Sequence, residues 1–156
     1  MTTTDSETYE KNFRWELDFG LNLGETDRRF FEGLTEKRIL GNTCPDCGTV
    51  FVPPQPYCDE CFVEPDEWVE MDQVGTLESY TVTFRKFRNM PDPPYVNGVI
   101  RIGDSATCFL HFVGGLEYDE PEDLIDAVHS GMRVEPVWRD EPSGDIQDIE
   151  YFKPLE

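Results

Sequence analysis

Basic residues are scarce in this 156-residue chain: 13 Lys+Arg stand against 33 Asp+Glu, a formal net charge of −20. A body so charged repels phosphate backbones and anionic membrane surfaces, which excludes functions resting on non-specific polyanion contact. Histidine is nearly missing, with two residues, so a nucleophile–His–carboxylate relay has few ways to be assembled. No run approaches the ~18 apolar residues of a membrane-spanning helix. The opening Met-Thr-Thr-Thr-Asp has neither the basic stretch nor the apolar core of a secretory signal. These absences give the expectation of a cytoplasmic protein without membrane association, whose thiols stay reduced. There is no low-complexity tract, and Val113-Gly114-Gly115-Leu116 reads as a turn, not as a Gly-rich phosphate loop.

What is present is enough for a core, with 38% hydrophobic and 13% aromatic residues. The length fits one domain, or one small domain with a sub-domain attached. Charge is unevenly spread. Residues 117–156 carry 13 acids and 3 bases, whereas 68–116 carry 5 and 4 and include the basic cluster Arg85-Lys86-Phe87-Arg88.

Along the chain, Phe13, Trp15, Leu17, Phe19, Leu21 and Leu23 alternate strictly, as in an extended arm laid on the protein's own core or on a partner. A helix is expected from Thr26, with Asp27 helping to cap it, Phe30, Phe31 and Leu34 as its apolar stripe, and Lys37 and Arg38 at its negative end. Strands are expected over Gly75–Phe84, Tyr95–Ile102, Ala106–Val113, Met132–Trp138 and Ile149–Phe152. Between the third and fourth, Pro121 opens a short helix whose apolar face is Leu124, Ile125 and Val128, and Gly131 ends it. The order is compatible with a five-stranded Greek-key barrel of the OB type.

The most specific signal is Cys44-Pro-Asp-Cys47-Gly48 followed by Cys58-Asp-Glu-Cys61, a CxxC-x10-CxxC array. Two residues between thiolates let one tight turn aim both sulfurs at a single ion, and two such turns complete a tetrahedral site. Gly48 suits a turn that needs positive φ; Phe62 holds the equivalent place after the second pair, so that turn is expected to differ. Val50-Phe51-Val52 is expected to form a strand between the turns, before Pro53, Pro54 and Pro56 stiffen the return. Zn2+ is the default occupant, a rubredoxin-like iron site uses the same four ligands, and disulfides or a redox CxxC remain alternatives. Four thiolates leave no open coordination position, so the metal's role is structural. The fifth cysteine, Cys108, falls in an apolar strand and reads as a core residue.

The array and its surrounding wording resemble a known family: Phe30-Phe31, Leu34 and Lys37–Leu40 ahead of Cys44-Pro-Asp-Cys47-Gly48, Pro53-Pro54 ahead of Cys58 and Cys61, then Trp68, Gly75-Thr76-Leu77, Ser79–Val82, Pro93-Pro94-Tyr95, Val99-Ile100-Arg101 and Gly131-Met132-Arg133-Val134. These are the rubredoxin-like zinc-ribbon/OB-fold proteins associated with thiolase-superfamily enzymes that act on acyl-CoA. The resemblance spans about residues 25–140. It implies a mainly β protein with a zinc ribbon (39–67) and an OB-fold barrel with one short helix (68–140), behind an N-terminal arm and helix (1–38) and ahead of an acidic C-terminal segment (141–156) that completes or flanks the barrel; the resemblance does not explain the arm or the acidic tail beyond Trp138. It also implies a non-catalytic accessory or scaffold subunit. Its partner would be a thiolase-fold subunit in a hetero-oligomer acting on an acyl-CoA thioester by thiolysis, acyl transfer or retro-aldol cleavage, in the setting of aromatic or steroid acid degradation.

No catalytic residues are expected in the chain itself: His111 alternates with Phe109 and Val113 on a strand, His129 ends a short helix, and acidic runs such as Glu117–Glu120 read as solvated faces. Arg85, Lys86 and Arg88 are candidate contacts to CoA phosphates through charge-assisted bonds, or partners of the protein's own carboxylates. The competing class is a single-stranded nucleic-acid-binding module, with Phe84, Phe87 and Tyr95 as stacking rings, which the overall charge disfavours.

Overall fold

The computed structural model describes residues 20–155. Phe13, Trp15, Leu17 and Phe19 of the expected arm lie outside the described residues, while Leu21 and Leu23 are exposed and precede the first helix.

Helix α1 runs Glu25–Thr35. Its first turn is closed by Asp27, whose carboxylate accepts from the Gly24 amide at 3.3 Å, as the sequence suggested. Phe30 and Leu34 are buried and Phe31 is packed against the same core. The helix ends at a left-handed Lys37 (φ 56°), an unusual place for a residue with a Cβ. The amide of Arg38 reaches back to the Gly33 carbonyl at 3.0 Å. Gln73 caps the Lys37 carbonyl at 2.7 Å and accepts from the Trp138 indole at 2.7 Å, tying the helix exit to a residue late in the chain.

A three-stranded sheet follows, made of β1 (Leu40–Thr43), β2 (Val50–Phe51) and β3 (Glu67–Glu70), with β1 central and antiparallel to both neighbours. Strands β1 and β3 carry no hydrophobic alternation strong enough to announce them, since Leu-Gly-Asn-Thr and Glu-Trp-Val-Glu are four residues each. They form because the paired sheet satisfies their backbone groups, not because of intrinsic preference.

The remaining strands β4 (Gly75–Thr83), β5 (Tyr95–Ile102), β6 (Phe109–Val113), β7 (Arg133–Trp138) and β8 (Ile149–Pro154) close a barrel in the order β4-β5-β6-β8-β7. Taken as barrel strands one to five, this is the order 1-2-3-5-4 of an OB fold. Closure depends on β4 pairing with β7 and on a parallel contact of β6 with β8 at Val113 and Phe152. Strand β6 starts three residues later than expected, leaving Cys108 half-buried ahead of it and not in the core. The short helix is a 3-10 turn, Pro121–Asp123, running into α2 (Leu124–Ala127). Leu124 and Val128 are buried there, but Ile125 is 52% exposed, because a single turn has too narrow a face to bury all three. A second 3-10 turn, Ile146–Asp148, lies between β7 and β8.

One contiguous core joins these parts. Phe30, Leu34, Ile39 and Val52 from the first half pack with Leu77, Ile100, Phe109, Val134, Ile149 and Phe152 from the barrel. Gly98 on β5 is needed there for space: an added Cβ would stand 2.5 Å from Leu77 Cδ1 and 2.8 Å from Val113 Cγ2. A polar seam reinforces the joint. Thr107 Oγ1 accepts from the Val52 amide at 2.6 Å and donates to the Pro53 carbonyl at 3.0 Å, while the Ala106 amide donates to the Val50 carbonyl at 2.8 Å.

Candidate metal centre and barrel face

Cys44 follows the last residue of β1, and Cys47 sits at the end of the tight turn it opens. Two bonds shape this first knuckle: the Gly48 amide donates to the Cys44 carbonyl, and the Cys44 amide to the Thr49 carbonyl, both at 2.9 Å. The second knuckle repeats the pattern, with Phe62 donating to Cys58 and Cys58 to Val63, again at 2.9 Å. Gly48 has φ 74° and Phe62 has φ 57°. The second turn therefore does not differ from the first, contrary to the sequence expectation. Phe62 adopts the left-handed conformation that a glycine takes at the other site, because the four-sulfur geometry fixes the turn whatever residue follows it.

The four Sγ atoms of Cys44, Cys47, Cys58 and Cys61 lie within 4.8 Å of one another. Cys47 Sγ is 3.8 Å from Cys58 Sγ. A tetrahedral zinc site with Zn–S bonds of ~2.3 Å requires sulfur separations of about 3.8 Å, so the arrangement fits such an ion. Cys44 and Cys58 are buried, Cys61 is half-buried and Cys47 is exposed. Hydrogen bonds from the Thr49 side chain and amide, helped by Cys44, pull the Cys47 thiol down to about 6. Its neighbour Cys61 is pushed up to about 12, first by sharing a proton with Cys47 and then by burial. Burial likewise raises Cys44. Four thiols in such proximity cannot all lose their protons without a cation between them.

A residue with no sequence signature holds this centre in place. Asn42, fully buried on β1, donates from Nδ2 to the Gln55 carbonyl at 2.8 Å and the Pro65 carbonyl at 3.3 Å, and accepts from the Gln55 amide at 3.1 Å. It thus stitches both flanks of the second knuckle to the central strand. Above the same sheet, Arg29 stacks on Trp68 with its guanidinium carbon 4.5 Å from the ring centre.

A recess of about 620 Å³ lies on the barrel, where the β4–β5 loop, β6 and the β7–β8 loop meet; Met90, Leu110, Phe112, Arg139 and Ile146 line it. This is the face that OB folds commonly present to ligands. His111 stands beneath it, 8% exposed. Its Nδ1 accepts from the Phe112 amide at 2.9 Å, so the proton sits on Nε2, which donates to the Ile146 carbonyl at 3.2 Å. Burial holds its pKa below the ordinary value. With both ring nitrogens committed to backbone, His111 braces the β7–β8 loop, and His129 is exposed at the end of α2. The same loop is gathered by buried Asp148. Burial acts to raise this carboxyl, but it accepts from the Ser143, Gly144 and Asp145 amides at 2.8, 2.7 and 3.0 Å, and those bonds hold it below its usual range.

Arg85, Lys86 and Arg88 are exposed on the β4–β5 loop. Lys86 Nζ is taken up within the loop by Asp92 at 2.5 Å and the Met90 carbonyl at 3.1 Å. Phe84 and Phe87 are exposed there, but Tyr95 is buried edge-on against Phe112, so it is not an available stacking ring. Among the described residues no helix is long and apolar enough to cross a membrane.

A four-cysteine ribbon packed on an OB barrel defines the class: a rubredoxin-like zinc ribbon with a C-terminal OB-fold domain. Residues 31–67 match the model of the ChsH2 rubredoxin-like zinc ribbon domain, and residues 68–139 match that of the ChsH2 C-terminal OB-fold domain. The chain is 30% identical over 124 residues to a DUF35 domain-containing scaffold protein of Methanocaldococcus jannaschii, covering 76% of this chain and 82% of that one. The chain belongs to this ChsH2/DUF35 family. A DUF35-family crystal structure from Sulfolobus solfataricus superposes with a TM-score of 0.64 at 25% identity, covering 85% of this chain and 87% of that one. The Ltp2-ChsH2(DUF35) aldolase structure also gives 0.64 at 22% identity, with 86% of this chain and 98% of that one covered, and shares the fold.

Proposed function

We propose that the chain is a non-catalytic scaffold subunit of a thiolase-superfamily complex acting on an acyl-CoA thioester. The observation that carries the reading is membership in a family whose relative is described as a scaffold protein, joined to a barrel face whose one histidine is spent on backbone bonds. The aldolase assembly of the fold neighbour supports the same placement. In such a complex the partner performs carbon–carbon bond chemistry, and this chain contributes binding surface and position. Cys44, Cys47, Cys58 and Cys61 hold one structural Zn2+ that keeps the ribbon folded. The test is affinity purification from the source organism. A thiolase-fold subunit recovered in fixed stoichiometry is the expected result; the chain alone, or RNA or DNA in a salt-sensitive complex, overturns the reading.

The β4–β5 loop extends it. Arg85, Lys86 and Arg88 form a basic stretch in an acidic protein, and they would meet the phosphates of a CoA ligand held by the complex. Reversing both charges (Arg85→Glu with Arg88→Glu) should weaken CoA-thioester binding by the complex in a calorimetric titration, and an unchanged affinity removes the loop from the site.

A further inference from the structure

The two metal knuckles are twins in backbone and opposites in surface chemistry. In the first, the turn ends on Gly48 at φ 74°, which a glycine takes without steric cost. In the second the same turn ends on Phe62 at φ 57°, and its ring is 83% exposed. Phe62 is therefore disfavoured twice, by a left-handed backbone that strains a Cβ-bearing residue and by an aromatic ring left in water. The four-sulfur geometry sets this backbone, but Gly48 shows that the turn needs no side chain, so a phenyl ring there does not serve the metal. Tyr57, one residue before the second pair, is also exposed at 66%. Around these rings, residues 57–66 carry Asp59, Glu60, Glu64 and Asp66, all exposed, and no basic residue. A solvated loop has no use for two such rings, whereas an interface anchors on large aromatic side chains and sets its register with a charged rim.

We infer that the second knuckle is the docking tip of the ribbon: Phe62 and Tyr57 insert into an apolar pocket on the partner enzyme subunit, and Asp59, Glu60 and Glu64 meet a rim of Lys and Arg around it. The occupant is a basic-rimmed protein surface, because the acidic tip repels a polyanion and a second copy of this chain brings its own net charge of −20. The inference rests on the scaffold reading for the identity of the partner. The metal gives the tip its rigidity, so the rings are presented already ordered and little conformational freedom is lost on docking.

The experiment compares tagged full-length chain, Phe62→Gly, Asp59→Lys with Glu60→Lys, and Ile125→Ser as an exposed apolar control elsewhere, each recovered from source cells with the thiolase-fold subunit quantified by mass spectrometry. Phe62→Gly relieves the turn, so it should bind zinc fully and melt at the same temperature or higher, yet recover at least tenfold less partner. The charge reversal should cut recovery several-fold, most strongly at low salt, and Ile125→Ser should not. Carbodiimide treatment of the wild-type complex should join carboxylates of residues 59–64 to partner lysines. Undiminished recovery with Phe62→Gly, or cross-links that avoid the knuckle, overturns the docking tip while leaving the scaffold reading intact. A wild-type chain that brings down no thiolase-fold subunit overturns both.

Discussion

Around the four sulfurs, Phe51 is the one apolar side chain buried with Cys44 and Cys58, and Cys61 and Val63 pack against them. The barrel instead gathers Leu77, Val96, Ile100, Ile102, Phe109, Val113, Val134, Ile149 and Phe152 into a continuous core, with Phe109 and Phe152 ring centres 6.0 Å apart. The ribbon is thus gathered by Asn42 around four thiols placed to share one ion, and the barrel is held by apolar burial. One molecule contains two answers to the same problem, and the size of each part decides which is open to it: a segment of this length buries too little apolar surface to offset its conformational entropy.

The largest break in that comparison comes from the metal. Replacing Cys44 with Ser, or stripping zinc with a chelator, should remove on the order of 10 kcal/mol of folding free energy from the ribbon. Hydrogen exchange should then show the amides of residues 40–70 unprotected while those of β5 remain protected; simultaneous loss in both would show that the barrel depends on the metal too. Next comes the barrel's own weakness. Phe152→Ala should cost about 3–5 kcal/mol in denaturant unfolding, with the ribbon still binding one zinc. Asn42→Ala strands the polar groups of Gln55 and Pro65 and should cost about 1–3 kcal/mol, read as faster exchange confined to residues 53–66.

The smallest effect sharpens the barrel side. His111 is kept neutral by burial, its folded pKa lying below the unfolded value of ~6.5. The stability this confers is therefore complete above about pH 6.5 and shrinks as pH falls toward the lower folded pKa, because the unfolded chain takes up the proton first. Between pH 7.5 and 5.5 the wild type should lose more unfolding free energy than His111→Gln, and equal losses would place the proton linkage elsewhere.

Much of this was legible in the residues because it was local. The cysteine spacing announced the ribbon, Asp27 and the Phe30–Leu34 stripe announced α1, and β-branched and aromatic runs announced the barrel strands. What escaped was set by distant contacts. β1 and β3 exist through pairing, Asn42 acts on residues 13 and 23 positions away, and Tyr95 turned inward against a ring from another strand. Phe62 was misread for a related reason: local propensity favours a different turn, and a constraint from three other cysteines overrides it. The family resemblance supplied what pattern could not, the expectation of a partner enzyme.

The Thr107 seam has a consequence for assembly. Because Val52 and Pro53 are bonded to the segment that leads into β6, the ribbon cannot swivel on the barrel as a bead on a string would. Whatever grips the ribbon tip finds the barrel face at a set distance and bearing, as with the two jaws of a fixed calliper. A second contact made there becomes an intramolecular event, with its effective concentration set by the protein's own geometry and not by diffusion.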